Sequence, residues 1–434
     1  MSARIAALSA LIACRKQNAW SDGILKEYIA RDKLDRRDAA LASRLCYGVM
    51  QNRMLLDYYI GSFLRGKLRD LQPVVLDILR LGAYQIVMMD KIPVSAAVNE
   101  AVEQGKKYAN RQAAGLINGV LRSMARAGDQ LVEPKDLATR YSHSEELVSL
   151  LRDNVGEDLL EPLLRSHNAQ PGTMLQVNTL KSDAASVLLQ LQEAGIAAEP
   201  HPYLSNCFSV TGTGSLESLP AFRQGEIVVQ DPAAKLSVLA ADPRPGMRVL
   251  DCCSAPGGKS FASAMLMGNR GEILSCDIHS HKVQLIEKGA ARLGITILSA
   301  LERDARDHNP DWENAFDLVI ADVPCSGLGV IRKKPDIRYK NLRQTEALPA
   351  LQLDILRNAA SYVKPGGTLL YSTCTILRRE NEAVAEAFLK DNCDYIAEAF
   401  SLPGDIRADN GMLTLLPCVH DTDGFFICKL RKKL

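Results

Sequence analysis

From residue 247 onward the chain alternates strand-like and helix-like segments. Strand candidates fall at 248–252, 271–276, 295–300, 316–321 and 368–372, with helical segments between them, for example at 280–293 and 352–363. Parallel neighbours need a long crossover, usually a helix, so this period predicts an α/β doubly wound, Rossmann-like domain with a mostly parallel sheet. Ligands of such sheets lie outside the carboxyl ends of the strands. The residues that follow each strand are therefore the ones to read for chemistry.

The first strand runs into Asp251-Cys252-Cys253-Ser254-Ala255-Pro256-Gly257-Gly258-Lys259. A turn of small residues before a helix lets a ligand approach the backbone and aims helix N–H groups at it. The spacing is neither the dinucleotide GxGxxG nor the phosphate-cradling GxxxxGK[ST]. Asp277 ends the second strand, 20 residues after Gly257, where an acidic side chain meets ribose hydroxyls. Asp304 follows the third strand. One ligand with a ribose and a base, lying across the strand ends, accounts for all three features. The fourth strand ends in Asp322-Val323-Pro324-Cys325-Ser326-Gly327 and the fifth in Ser372-Thr373-Cys374-Thr375. These strands are expected to be neighbours, so Cys325 and Cys374 should face one crevice. A thiol of lowered pKa is the best soft nucleophile among side chains. Cys252, Cys253, Cys276 and Cys428 read instead as small apolar packing residues.

The first 128 residues read as all-helical. Val74, Val75, Ile78 and Leu79 share a helix face, Ser95 after Pro93 is an expected N-cap, and residues 111–126 place Leu116, Val120 and Leu121 on one stripe with Arg111, Arg122 and Arg126 facing solvent. Ala6, Ala7, Ala10, Leu11 and Cys14 make one stripe of an amphipathic first helix, which is favoured over a signal peptide. A polar connector with short helices follows at 129–170. A small α+β insert then spans 171–232, with strands at 174–178, 208–210 and 226–229 and a helix at 184–194. The expected domains are 1–140, 141–235 and 236–434. The net charge of +1 conceals a split: residues 1–140 hold 22 Lys+Arg against 14 Asp+Glu, and the remainder hold 30 against 37. A basic part suits a polyanion. Eleven cysteines, an odd number without CxxC pairs, suit a reducing cytoplasm rather than a disulfide framework. No metal motif, no membrane-spanning run and no obligatory protein partner is evident.

Taken together, Asp251-x-Cys253-x-Ala255-Pro256-Gly257-Gly258-Lys259, Asp322-x-Pro324-Cys325-Ser326-Gly327 and Ser372-Thr373-Cys374-Thr375 resemble the S-adenosylmethionine-dependent RNA cytosine-5 methyltransferases of the NOL1/NOP2/Sun type. Arg44-x-x-Tyr47-Gly48-Val49, the run from Asp77 to Gln85 and the run from Lys91 to Val102 resemble a NusB-type helical RNA-binding domain. The pairing is similar to that of bacterial enzymes that methylate a cytosine in 16S ribosomal RNA, and it extends to His420-x-x-Asp423-Gly424-Phe425-Phe426. Ser254 and Ser260 stand where the family usually has Ala and Thr, both small changes, and Cys252 replaces a more usual apolar residue.

The resemblance implies a cofactor, S-adenosylmethionine, held by Cys253, Ser254, Ala255, Pro256, Gly257, Gly258 and Lys259, with Asp277 on the ribose, Asp304 on the adenine amino group and Asp322 alongside. It implies Cys374 as the nucleophile on carbon 6 of cytosine, Cys325 as the thiol that assists release, and Asp322 as the partner of the ring nitrogen and amino group. Spacing alone leaves the two cysteine roles open. Lys259 either supports a thiolate or is a surface lysine at a helix start. The implied partner is 16S ribosomal RNA. Arg36, Arg37, Lys106, Lys107 and Arg111 are candidate phosphate contacts. The loop Arg332-Lys333-Lys334-Pro335-Asp336, with Arg338, is expected to grip RNA beside the active site, and Asn178-Thr179-Leu180-Lys181 resembles an RNA-side segment. An amino-methyltransferase is disfavoured, since Asp322-Val323-Pro324-Cys325 lacks the Pro-Pro-aromatic turn and such an enzyme has no use for a second cysteine. A non-catalytic RNA-binding factor is disfavoured by the intact loop and both cysteines, and a transcription antitermination factor rests on fold analogy alone.

Overall fold

The computed structural model describes residues 2–17, 21–169, 172–211 and 216–434. The chain divides into two compact units: Met1–Ala169 with Ile331–Lys340, and Gln170–Val330 with Asn341–Leu434.

The first unit is helical, as its periodicity requires. In the helix Ala3–Gln17 the stripe Ala6, Ala7, Ala10 and Leu11 is buried, and Val75, Ile78 and Leu79 of Pro73–Met88 join it in one core with Leu45 and Val49 of Arg36–Gln51. In Arg111–Ala127, Ile117, Val120, Leu121 and Met124 are buried while Arg111, Arg122 and Arg126 are exposed. Ser95 does not cap its helix. Val94–Tyr108 starts one residue earlier, because the Pro93 carbonyl already accepts from the amides of Ala96 and Ala97. The helices Leu137–Tyr141, Glu145–Val155 and Glu157–Asn168 also belong to this unit.

The second unit contains a small sheet and a large one. Strands β1 (Thr173–Val177), β2 (Ala197–Pro200), β3 (Cys207–Thr211) and β4 (Ile227–Val229) form an antiparallel sheet in the order β2-β3-β1-β4. The helix Ala184–Glu193 covers it through Val187 and Leu191. The large sheet begins with β5 (Arg248–Asp251), β6 (Glu272–Asp277), β7 (Leu298–Glu302), β8 (Phe316–Asp322) and β9 (Val363–Thr373). It is completed by β10 (Tyr395–Ala397), β13 (Met412–Leu415) and β14 (Phe425–Lys432), while β11 (Phe400–Leu402) and β12 (Ile406–Ala408) pair separately.

The large sheet has the order β10-β14-β9-β8-β5-β6-β7, with β13 on β14. From β5 to β9 the pairing is parallel, and β14 lies antiparallel on β9. Successive side chains go to opposite faces. Val249, Leu318, Ile320 and Leu370 enter one core with the helices Gly258–Leu266 and Ser280–Leu293, and Leu250, Val319, Ala321 and Tyr371 enter the other with Leu348–Ser361 and Glu382–Asp391. The chain runs from β5 outward to β6 and β7, then returns to place β8 on the opposite side of β5. That reversal is the topological switch point, and it opens a crevice between the ends of β5 and β8.

Candidate active site

The loop after β5 is fixed by its own backbone. The Ser254 amide donates to Cys276 O at 2.8 Å, and the Gly257 amide donates to Ser254 O at 2.7 Å. Gly257 has φ +105°, and a Cβ there would overlap the Phe261 ring, so glycine is required twice over. Gly258 opens the helix Gly258–Leu266, and its carbonyl accepts from Gln230 Nε2 at 2.9 Å. Beneath the loop Asp251 is fully buried. Its Oδ2 accepts from Ser260 Oγ at 2.7 Å, and Ser260 Oγ is in turn 2.8 Å from Ser275 Oγ. The serine at 260 therefore supplies the hydroxyl that this carboxyl needs. Burial, only partly offset by Ser260 and Lys259, raises the Asp251 carboxyl to about 7.

Lys259 is not a surface lysine. It is 8% exposed, and its Nζ pairs with Asp322 Oδ2 at 2.6 Å beside the Phe425 ring. The second oxygen of Asp322 accepts from Ser372 Oγ at 2.8 Å. Parallel pairing sets Asp322 opposite Ser372 and thereby aligns the turns after β8 and β9. Cys325 and Cys374, both half-buried, meet with their sulfurs 3.1 Å apart. The hydrogen bond from Cys374 and then burial push the Cys325 thiol well above its ordinary range. A thiol in this setting keeps its proton rather than standing ready as a thiolate.

Asp277, at the end of β6, is buried and accepts from the His279 amide at 3.1 Å, with Lys282 Nζ 3.7 Å away. Asp304 carries an ion pair with Arg306 at 2.6 Å and accepts the Arg306 amide at 2.9 Å, and these bonds lower its carboxyl. Cys253 is half-buried and its thiol is pushed up by burial, while Cys252, Cys276 and Cys428 are buried in the core. One feature of the loop suits a nucleoside cofactor: the hydroxyl of Ser254 is buried without a hydrogen-bond partner.

The expected RNA-side residues divide. Lys333 and Lys334 are exposed, as are Arg36, Arg37, Lys106, Lys107 and Arg111, with Lys106 paired to Glu103 at 2.6 Å. Arg332 and Arg338 are buried instead. The Arg338 guanidinium donates to Gln51 O, Tyr141 O, His167 O and Asn168 Oδ1 inside the helical unit, so it does not grip RNA. In the segment 178–181, Thr179 and Lys181 are exposed, while Asn178 is turned to the interior. Asn178 is fully buried and donates to Gly225 O and Leu293 O, each at 2.8 Å, and Lys181 Nζ donates to Gln224 O and Arg292 O. Three residues that sequence reasoning missed also stand at the cysteine turns: Gln352, Glu380 and Asn381, all fully buried. The only sequence signal for the last two was a charged and an amide residue shortly after Cys374.

Residues 238–431 match the family model of the 16S rRNA methyltransferase RsmB/F, residues 1–126 that of the NusB family, and residues 143–217 that of the RsmF/B-like ferredoxin-like domain. Among curated proteins, the chain is 40% identical to the probable ribosomal RNA small subunit methyltransferase B of Bacillus subtilis (strain 168), over 100% of this chain and 99% of that protein. It is 32% identical to the ribosomal RNA small subunit methyltransferase B of Escherichia coli O1:K1 / APEC, over 93% and 92% respectively. The crystal structure of PH0851 aligns with TM-score 0.81 at 26% identity, over 99% of this chain and 98% of that one.

Proposed function

The chain belongs to the ribosomal RNA small subunit methyltransferase B family, and on that footing we propose that it transfers a methyl group from S-adenosylmethionine to carbon 5 of a cytidine in 16S ribosomal RNA, through a covalent adduct of Cys374 with carbon 6. The observation that carries this reading is the 3.1 Å approach of Cys325 and Cys374 beside the Asp322–Lys259 ion pair. A methyltransferase acting on an amino group needs no thiol, whereas carbon 5 of cytosine is a poor nucleophile until a thiolate adds to carbon 6.

When bound, S-adenosylmethionine would supply an electrophilic methyl group to carbon 5. The loop from Cys253 to Lys259 would hold it, with Asp277 facing the ribose and Asp304 facing the adenine. Cys374 attacks carbon 6. Asp322, oriented by Lys259 and Ser372, would lie at the edge of the base, accept a hydrogen bond from its amino group and share a proton with the ring nitrogen as negative charge develops there. In the final steps the carbon 6–sulfur bond breaks and Cys374 leaves as a thiolate; Cys325, 3.1 Å away, gives its proton to that thiolate and takes up the proton lost from carbon 5. The base must be single-stranded or flipped out for its ring faces to be reached. The basic helical unit suits phosphate contacts.

Two variants test the roles. Cys374→Ser should abolish methyl transfer while cofactor binding survives. Cys325→Ser should let a protein–RNA adduct accumulate, visible as a denaturant-resistant gel shift. The opposite pattern would overturn the assignment. Bisulfite sequencing of 16S rRNA from a strain lacking this protein should show one lost 5-methylcytosine, and an unchanged profile would refute the substrate.

A further inference from the structure

Two thiols that act in sequence on one ring must keep a fixed separation, yet Cys325 and Cys374 sit on different turns. Several bonds join the turns directly. The Val323 amide donates to Ser372 O at 3.1 Å, the Gly329 amide to Cys374 O at 3.0 Å, and Ser326 Oγ to Thr375 Oγ1 at 2.8 Å. A second set comes from one dipeptide, Glu380-Asn381, placed between β9 and the helix Glu382–Asp391.

Each member of the dipeptide holds one turn on both sides of its cysteine. Glu380 Oε2 accepts from the Ser326 amide at 2.8 Å and from Gln352 Nε2 at 3.0 Å, and Gln352 Nε2 donates also to Pro324 O at 2.9 Å. The peptide groups before and after Cys325 are thus both held. Asn381 Nδ2 donates to Thr375 O at 3.0 Å, and Asn381 Oδ1 accepts from Thr373 Oγ1 at 2.6 Å, which holds both neighbours of Cys374. Glu380 and Asn381 are both fully buried. A carboxylate with only neutral donors is a costly way to fill a core. Its Oε1 has no hydrogen-bond partner. Packing alone would be served as well by an apolar residue, which points to a task for the acceptor oxygen and its geometry.

We propose that Glu380 and Asn381 are positioning residues that set the two thiols in register, Glu380 acting through the Cys325 turn and Asn381 through the Cys374 turn. The inference rests on the roles of the two cysteines given above. Loss of Glu380 disturbs release, and loss of Asn381 disturbs attack. Glu380→Gln keeps an oxygen for Ser326 and Gln352, so the conservative variant retains the clamp, whereas Glu380→Ala removes it.

The test uses the full chain with an unmodified 16S rRNA transcript and follows both methyl transfer and denaturant-resistant adduct. Misplacing a reacting group by about 1 Å costs on the order of 100-fold. Glu380→Ala should therefore accumulate adduct and slow turnover by tenfold or more on that scale. Its cofactor affinity should stay unchanged, and Glu380→Gln should restore release. Asn381→Ala should slow adduct formation without accumulation. Gln352→Ala, which frees Pro324 O and removes one of the two donors to Glu380 Oε2 but leaves the Ser326 amide held, gives the Glu380 phenotype in milder form and serves if Glu380→Ala does not fold. Equal loss of adduct in all variants together with weakened cofactor binding would mean a merely structural role and would overturn the proposal. If Cys325→Ser traps adduct and neither Glu380→Ala nor Gln352→Ala does, the proposal fails alone. If Cys325→Ser itself traps none, the reading of the cysteine roles fails with it.

Discussion

Replacing Arg338 by methionine should lower the unfolding temperature of the helical unit by roughly 10 °C, as the following geometry implies. The side chain is 1% exposed and its partners are all neutral oxygens. Gln51 O, at 2.7 Å, ends the helix Arg36–Gln51; Tyr141 O, at 3.3 Å, ends Leu137–Tyr141; and His167 O, at 3.2 Å, lies in the last turn of Glu157–Asn168. Helix ends present unpaired carbonyls and partial negative charge, so one guanidinium caps three of them. Burial lowers its pKa to about 10, which still leaves it charged at neutral pH.

Methionine would keep much of the stem's packing and remove the donors. Tyr141 O would retain His143 Nδ1 at 2.7 Å and Asn168 Nδ2 at 3.2 Å, whereas Gln51 O, His167 O and Asn168 Oδ1 would lose this donor. Two buried acceptors and one half-buried one, at about 1–3 kcal/mol each, less the relief of no longer burying a charge, leave a net cost of about 3 kcal/mol. A unit of this size shifts by about 2–4 °C per kcal/mol. Differential scanning calorimetry of the full chain measures it, with Arg338→Lys as a partial rescue. A shift under about 2 °C would refute the three-helix cap.

The two units should respond to pH with opposite sign. His143 and His167 are buried neutral in the helical unit, His167 with its pKa lowered to about 3 by burial and then by Arg338. The unfolded chain binds protons that the folded one refuses, so stability falls as pH drops below 6.5, and a flat melting temperature between pH 7 and 4 would contradict this. Asp251 behaves inversely: its folded pKa of about 7 lies above the ordinary 3.8, so the folded state keeps a proton that the unfolded state releases. Stability of the catalytic unit should fall as pH rises from 4 to 7, and Asp251→Asn should flatten that slope. Gly257→Ala, at φ +105° and against Phe261, should cost about 1–3 kcal/mol and weaken S-adenosylmethionine binding in a calorimetric titration. Unchanged binding would remove the cradle from the cofactor site.

What the sequence made legible followed local rules. Ser280–Leu293 coincides with its expected span, and four of the five parallel strands end within one residue of their expected ends, whereas the third, expected at 295–300, runs Leu298–Glu302. The missed strand β14 is an unbroken run, Phe425 to Leu430, buried on both faces. It pairs antiparallel with β9, which a strict βα period does not anticipate. Arg338 was misread for a non-local reason. Its neighbours Lys333 and Lys334 are exposed, and the carbonyls that bury it come from helices ending some 170 to 290 positions earlier. Glu380 and Asn381 gave no periodic signal, because a buried polar residue is recognised only by the partners that satisfy it.

The site's electrostatics follow from where the chain reverses. The loop after β5 and Asp277 after β6 lie on one side of the switch point, and Asp322, Cys325 and Cys374 lie on the other. Lys259 stands on the first side and reaches Asp322 on the second, so one ion pair couples the cofactor loop to the edge where a base would be held. Asp251 lies directly beneath, and the Asp322 charge contributes to raising its pKa. One ammonium cannot neutralise two carboxylates in the same low-dielectric crevice. It pairs with the half-buried Asp322, while the fully buried Asp251 takes a hydroxyl from Ser260 and keeps its proton up to about pH 7. This division leaves the charged carboxylate at the half-buried end of β8 and the uncharged one in the core. It also explains why a serine or threonine is wanted at 260: an alanine there would leave Asp251 buried without that hydroxyl donor.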